Sequence, residues 1–180
     1  DDLAILGGRP LSARFTPDSR QLVVANYLGN SLQIVDVETM KLMRTIQLGG
    51  PTEPSLARRG EAIFYDATRS FHQWFSCHTC HPDGHTNHGQ FDTFNDGTYG
   101  NPKKTLSLRG VGVTGSWTWH GHQESLGEAV AGSLTTTLQG PAPSEADTRA
   151  VTAFLSTLDF PPNPHRNADG SVSESAGRGE

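Results

Sequence analysis

The chain has 180 residues, of which 34% are hydrophobic and 18% charged, with 20 glycines, 11 prolines and a formal net charge of −5. That length suits one domain, or one and a fraction, the acidic balance speaks against a nucleic-acid partner, and no run approaches the roughly 20 apolar residues that a membrane helix needs. So much glycine and proline predicts a loop-rich fold whose small apolar core is supplemented by something else.

The opening Asp1-Asp2-Leu3 carries no leader-like run, as expected of a mature form or a piece of a longer protein. Residues 1–50 read as β structure. Leu11 to Phe15 alternates and ends in the turn Thr16-Pro17-Asp18-Ser19. Gln21 to Tyr27 carries Leu22, Val23, Val24 and Ala25, and Gly29-Asn30 makes a second turn. Ser31 to Val37 alternates through Leu32, Ile34 and Val35, and Lys41 to Leu48 carries Leu42, Met43, Ile46 and Leu48. Short strands separated by turn residues predict an antiparallel meander or a propeller blade. The wording of Phe15-Thr-Pro-Asp-Ser19, Leu22-Val-Val-Ala-Asn-Tyr27 and Asn30-Ser-Leu-Gln-Ile-Val-Asp36 resembles a YVTN-type β-propeller repeat. One blade cannot bury both its faces. The resemblance therefore implies further blades, on this protein or another chain, or a blade packed on the rest of this one; an unrelated small sheet is the alternative.

Past residue 50 the period changes. Leu56, Ala57, Gly60, Ile63 and Phe64 fall at helical spacing behind the start signals Thr52, Pro54 and Ser55. The only two cysteines follow, in Cys77-His78-Thr79-Cys80-His81. C-x-x-C-H is the pattern of covalent c-type haem attachment. Two thiols on one tight turn can add to the two vinyl groups on one porphyrin edge, and the next residue can offer an imidazole nitrogen to the iron. On this reading Cys77 and Cys80 hold one covalent haem c, His81 is its proximal ligand, and the porphyrin supplements the core. A thioredoxin-like site would want a βαβ context, and none precedes Cys77. A structural zinc would need four ligands, for which His78, His85 and His88 stand near the cysteines. A Cys77–Cys80 disulfide would close too short a loop to gain much.

Residues 82–104 are rich in glycine and asparagine and read as a long loop around the haem edge. Within it, Asp92-Thr-Phe-Asn-Asp-Gly97 fails the EF-hand spacing and reads as a turn. Phe71, Trp74, Phe75, Phe91, Phe94, Tyr99, Trp117 and Trp119 predict aromatic packing around the cofactor, with Trp117 or Trp119 as an alternative electron relay. Lys103, Lys104 and Arg109 are candidates to neutralise the propionates, or simply a solvated loop. Ser125-Leu-Gly-Glu128 has the capping-box form and opens a second helix through Val130 and Leu134. Ser144-Glu-Ala-Asp147 opens a third, with Val151, Phe154, Leu155 and Leu158 on one face and Pro161-Pro162 to stop it.

Arg59-Gly-Glu-Ala-Ile-Phe-Tyr-Asp66, Cys77 to His81, Lys104-Thr-Leu-Ser-Leu-Arg-Gly110, Trp119-His-Gly-His-Gln-Glu-Ser-Leu-Gly-Glu-Ala-Val130 and Ala150-Val-Thr-Ala-Phe-Leu-Ser-Thr-Leu158 stand in a telling order. Together they resemble the haem domains of bacterial di-haem cytochrome c peroxidases and the related methylamine-utilisation maturation enzymes. The resemblance implies a mainly α, cytochrome c-like haem domain with long loops over residues 51–165, preceded by the β meander of residues 1–50. Residues 166–180 are then a linker and the start of a second cytochrome domain, because Ala176-Gly-Arg-Gly-Glu180 echoes Ala57-Arg-Arg-Gly-Glu61. The implied function is electron transfer within a di-haem peroxidase-like oxidoreductase outside the cytoplasm, periplasmic or extracellular. Its partner would be a redox protein or a second haem domain. A non-enzymatic electron-transfer module and a haem-based sensor with propeller recognition are the competitors.

The only methionines, Met40 and Met43, lie in the β segment, which disfavours a local His–Met iron. Candidates for the opposite face are, in order, His120, His122, His88 and His85. His120 stands where the family has aspartate, so the role of that position is open. His72 and His165 read as surface residues and His78 as a motif filler. The expected cofactor-binding set is Cys77, Cys80, His81, His120, His122, Trp119 and Arg109, with His81 and His120 on the metal.

Overall fold

The computed structural model describes residues 8–167 and 169–179. The first seven residues of the β segment, Ala168 in the linker and Glu180 of the C-terminal echo lie outside the described residues.

The alternation of the first fifty residues produces an antiparallel meander. β1 (Pro10–Phe15), β2 (Gln21–Asn26), β3 (Ser31–Asp36) and β4 (Lys41–Gln47) pair in the order β1-β2-β3-β4. The register aligns Phe15, Leu22, Val35 and Leu42 across the sheet. Central Val35 is buried, while Phe15 and Leu42 on the outer strands are exposed. Thr16 and Asp18 build the first turn, the Thr16 hydroxyl donating to Asp18 at 2.7 Å and the Arg20 N–H at 3.2 Å. Among the described residues no closed barrel or propeller forms, and β1 and β4 remain the sheet's edges. The fold is therefore mixed rather than mainly α, because the sheet is as much a part of it as the helices.

The rest of the chain folds as α1 (Leu56–Tyr65), a single turn α2 (Cys77–Cys80), a short ribbon of β5 (Gln90–Phe91) and β6 (Lys103–Lys104), α3 (Leu126–Gly132), α4 (Glu145–Leu155) and α5 (Glu174–Arg178). The Ser55 hydroxyl caps α1 by accepting the Arg58 N–H at 3.2 Å. Helical periodicity then buries Gly60, Ile63 and Phe64 and leaves Leu56 outside. Ser144 and Asp147 form a reciprocal box at the start of α4, with bonds of 3.1 and 3.3 Å. α1 and α4 cross at Gly60, where a Cβ would sit 1.9 Å from the Ala150 carbonyl oxygen. Ile63, Phe64, Leu126, Val130, Leu134, Val151, Phe154 and Leu155 make the shared core.

Three elements differ from expectation. α4 ends at Leu155, well before Pro161-Pro162. The Ser156 hydroxyl donates to the Thr152 carbonyl at 2.8 Å and the Thr157 hydroxyl to that of Phe154 at 2.7 Å, so side chains close the last turn early. At α3 the Ser125 hydroxyl accepts the Glu128 N–H, but the Glu128 carboxylate accepts from the Glu124 N–H at 2.9 Å instead of returning to Ser125. α3 then widens into a π-helical turn, Ser133–Thr137. There the Ser133 and Thr135 hydroxyls donate to the Ala129 and Ala131 carbonyls and loosen the regular ladder. Finally, the 82–104 segment is not structureless. Its tip is held by the β5–β6 pairing, by Lys103 to Asp96 at 2.7 Å, and by the Asn95 amide donating to the Thr137 hydroxyl at 2.8 Å.

Candidate functional site

α1, α3, the π turn and α4 wall a cavity of about 720 Å³, a size common to small-molecule and cofactor sites. Phe64, Leu126, Val130, Leu134, Val151 and Leu155 give it an apolar floor. Cys77, Thr79, Cys80 and His81 form one side. Trp74, Phe91, Trp117 and Trp119 line it as well, and His120, His122 and Lys104 stand with them.

α2 is one turn long and is held by its surroundings rather than by propensity. The Ser76 N–H donates to the Thr79 hydroxyl at 3.1 Å, and the His81 N–H to the Cys77 carbonyl at 2.9 Å. Asn87 closes the other end: its N–H donates to the Cys80 carbonyl at 3.0 Å and its side-chain amide to that of Thr79 at 3.1 Å. Positive φ at Asp83 and Gly84 turns the chain so that the His85 carbonyl comes within 3.2 Å of His81 Nδ1. A carbonyl only accepts, so that bond puts the imidazole proton on Nδ1 and leaves the lone pair on Nε2, the arrangement a metal-binding histidine needs. Burial holds the imidazole below its ordinary basicity, with the His85 and Leu106 carbonyls pulling partly the other way. The neutral form is thus favoured. Both cysteines are free. Burial pushes the Cys77 thiol up to about 12 and raises that of Cys80.

The predicted residues divide. Cys77, Cys80, His81, Trp119, His120 and His122 share the cavity wall, and Arg109 is not part of it. The Trp119 indole donates to the Lys104 carbonyl at 2.7 Å and that of Trp117 to the Val111 carbonyl at 3.0 Å, so both rings are anchored by their polar ends. The His120 and His122 rings stack with centroids 5.4 Å apart, and both are exposed. His85 instead bonds the Ser107 hydroxyl at 2.8 Å, and neither it nor His88 lines the cavity. Met40 and Met43 are exposed and also outside it. Lys103 lines the cavity but is already paired with Asp96, whose carboxyl that bond holds well below the usual range. Among the described residues no group of three or more Cys, His, Asp or Glu side chains is arranged to hold a metal ion.

Thr79, Asn87, Asn95 and Thr137 escaped the sequence reading. Each acts through a hydrogen bond to a distant or backbone partner, and only the N-cap position of Ser76, three residues before Thr79, is a local signal.

The sequence model of the di-haem cytochrome c peroxidase family matches residues 54–160, and the chain belongs to that family. It is 29% identical over 140 residues to the gamma subunit of hydrazine synthase from Kuenenia stuttgartiensis, covering 72% of this chain and 40% of that protein. It also superposes on a chain of the K. stuttgartiensis hydrazine synthase structure pressurized with 20 bar xenon, with a TM-score of 0.61 and 25% identity, over 77% of this chain and 55% of that one. The chain thus spans about half or less of the length of these relatives. The family is haem-binding, and the donor set fits that group: two thiols and one imidazole, all lining an apolar cavity.

Proposed function

We propose that this chain is a covalent haem c redox domain that transfers electrons within a larger di-haem peroxidase-like protein. The observation that carries the proposal is that Cys77, Cys80 and His81 all line the same apolar cavity, with His81 Nδ1 held by the His85 carbonyl. In this reading Cys77 and Cys80 would hold the haem through thioethers and His81 would ligate its iron through Nε2. A bound haem supplies reversible one-electron chemistry. The chain's own residues exclude water with the Phe64–Val130–Leu155 floor, orient the imidazole through His85, and anchor the rim through Trp117 and Trp119. His120, with His122 stacked on it, is the proposed residue of the opposite face, since neither methionine lines the cavity. Lys104, which lines the cavity, is the proposed basic group for a propionate.

Residues 51–165 are the cytochrome unit in this proposal, and its electron partner is a second haem domain or another subunit. A relative named as one subunit of a synthase supports an assembly of that kind. Covalent haem attachment also assigns the protein to the periplasm or the cell exterior. Among the described residues no helix is long and apolar enough to cross a membrane.

The test is a haemochrome assay on the protein matured with haem, and on Cys77→Ser with Cys80→Ser. Retention of haem after acid extraction in the first and its loss in the second is expected; haem that extracts from both removes the covalent assignment. His120→Ala should change the ferric spin state, and an unchanged spectrum removes His120 as a ligand. A low-spin spectrum indifferent to peroxide and carbon monoxide marks an electron carrier, whereas a response to peroxide marks a catalytic iron.

A further inference from the structure

α2 has a second side. Cys77, Thr79, Cys80 and His81 face the large cavity, whereas His78, Pro82 and Asp83 line a separate cleft of about 420 Å³ together with Arg9, Pro10, Leu11 and Tyr65. Arg9 comes from the sheet side of the molecule, just before β1. Its guanidinium carbon lies 3.4 Å from the centre of the Tyr65 ring, and the Tyr65 ring is 4.6 Å from that of His78. Its nitrogens reach Glu61 at 3.0 Å and Asp83 at 4.0 Å. Glu61 also accepts from Arg58 at 2.8 Å, and Arg58 donates to the Tyr27 carbonyl at 2.5 Å with its guanidinium over the Tyr27 ring. The Arg9 and Glu61 side chains are only 18% and 13% exposed, so this pair is shielded from solvent more than an ordinary surface pair.

The cluster therefore sets two cations, Arg9 and Arg58, against two carboxylates, Glu61 and Asp83. Its members are not equivalent in place. Asp83 follows His81 by two residues, and Arg9 reaches the back of the motif turn through Tyr65 and His78. A charge close to a redox centre acts on its potential: a cation favours the form with one electron more, an anion the form with one fewer. From this arrangement we infer that Arg9 makes the N-terminal sheet part of the redox site, as a positioning and charge-setting residue that tunes the potential of a haem held by α2. The inference rests on the proposed haem site. It adds that the Arg9 cation offsets the carboxylates of Glu61 and, at 4.0 Å, of the exposed Asp83 behind the motif turn.

The test is a spectroscopic redox titration of the full haem-loaded chain and of Arg9→Met, Glu61→Gln, Asp83→Asn and the double variant Arg9→Met with Glu61→Gln. Arg9→Met should lower the midpoint potential. Glu61→Gln and Asp83→Asn should each raise it, and the double variant should return towards the starting value. Arg9→Lys, which keeps the charge but not the planar stack on Tyr65, should restore most of the potential. Loosening of the fold alone would move every variant in one direction. Shifts of one sign, or none, with the haem spectrum intact overturn the inference. If Arg9→Met does not fold, Arg9→Gln, which keeps a donor for Glu61 but not the charge, takes its place, and its downward shift against the upward shifts of the two carboxylate variants decides it. Absence of haem from the unsubstituted chain fails the functional reading instead, and is recognised before any titration begins.

Discussion

Gly60 is where the helical frame under the cavity can be tested most sharply. Glycine inside a helix ordinarily costs about 0.5–1 kcal/mol relative to alanine, so Gly60→Ala should stabilise α1 if propensity alone mattered. At this crossing, however, the new Cβ would lie 1.9 Å from the Ala150 carbonyl oxygen, 2.3 Å from its carbon and 2.8 Å from the Val151 nitrogen. All three are backbone atoms, so no rotamer change relieves the contact and the two helices must separate. Overpacking a core costs about 1–3 kcal/mol, and a rigid backbone clash belongs at the upper end. Subtracting the propensity gain leaves a net loss of about 2 kcal/mol, which for a chain of this size lowers the melting temperature by roughly 4–8 °C. Gly132 is the control. It has helical backbone angles, and a Cβ there meets nothing within 4 Å. Gly132→Ala should therefore raise the melting temperature by roughly 1–4 °C. Thermal unfolding followed by circular dichroism reads both variants. Equal stabilisation by the two substitutions would refute the close crossing of α1 and α4, and with it the packing of Phe64, Val151 and Leu155 into the cavity floor.

Asp147 carries a pH signature. The Arg69 guanidinium, 3.0 Å away, and then the Ser144 groups hold its carboxyl below the ordinary range. A depressed folded value contributes stability in full above the unfolded value of about 3.9 and loses it as pH falls through the lower folded value. Asp147→Asn should thus cost about 1 kcal/mol at pH 7, the difference vanishing in acid, as denaturant unfolding at several pH values would show; a pH-independent difference contradicts it. Asn87→Ala removes the amide that binds the Thr79 carbonyl, so hydrogen exchange at the His81 amide should accelerate, and unchanged protection would mean that α2 is held otherwise. Thr137→Val removes the acceptor of the Asn95 amide and should speed exchange across residues 92–100 while leaving the α1–α4 core protected.

The elements legible in the sequence were those with local causes. Alternating Leu32, Ile34 and Val35 announced β3, Ser55 and Ser144 announced two helix starts, and Cys77 to His81 announced one turn with a chemistry. What stayed hidden depended on partners far along the chain or on competition between neighbours. Pro161 is a strong stop, yet Ser156 and Thr157 act first because their hydroxyls satisfy the last carbonyls. The glycine- and asparagine-rich 82–104 stretch looked like open loop because its order comes from Asp96 with Lys103 and Asn95 with Thr137, neither visible as a period. Arg109 stands five residues past Lys104 and is not at the cavity, although Leu106, Leu108 and Val111 on either side of it line the wall. Six of the seven expected cofactor residues nevertheless line one cavity. Residues of α1, α3 and α4 line that cavity together with the motif turn.

In the proposed function one haem would be captured covalently by Cys77 and Cys80, with His81 as its ligand. Intact-mass spectrometry under denaturing conditions, on the chain expressed with a cytochrome c maturation system, tests it most directly. The expected mass exceeds that of the polypeptide by one haem, with the added mass on the peptide that carries Cys77 and Cys80. A chain at its bare polypeptide mass, with haem absent or extractable into solvent, contradicts it.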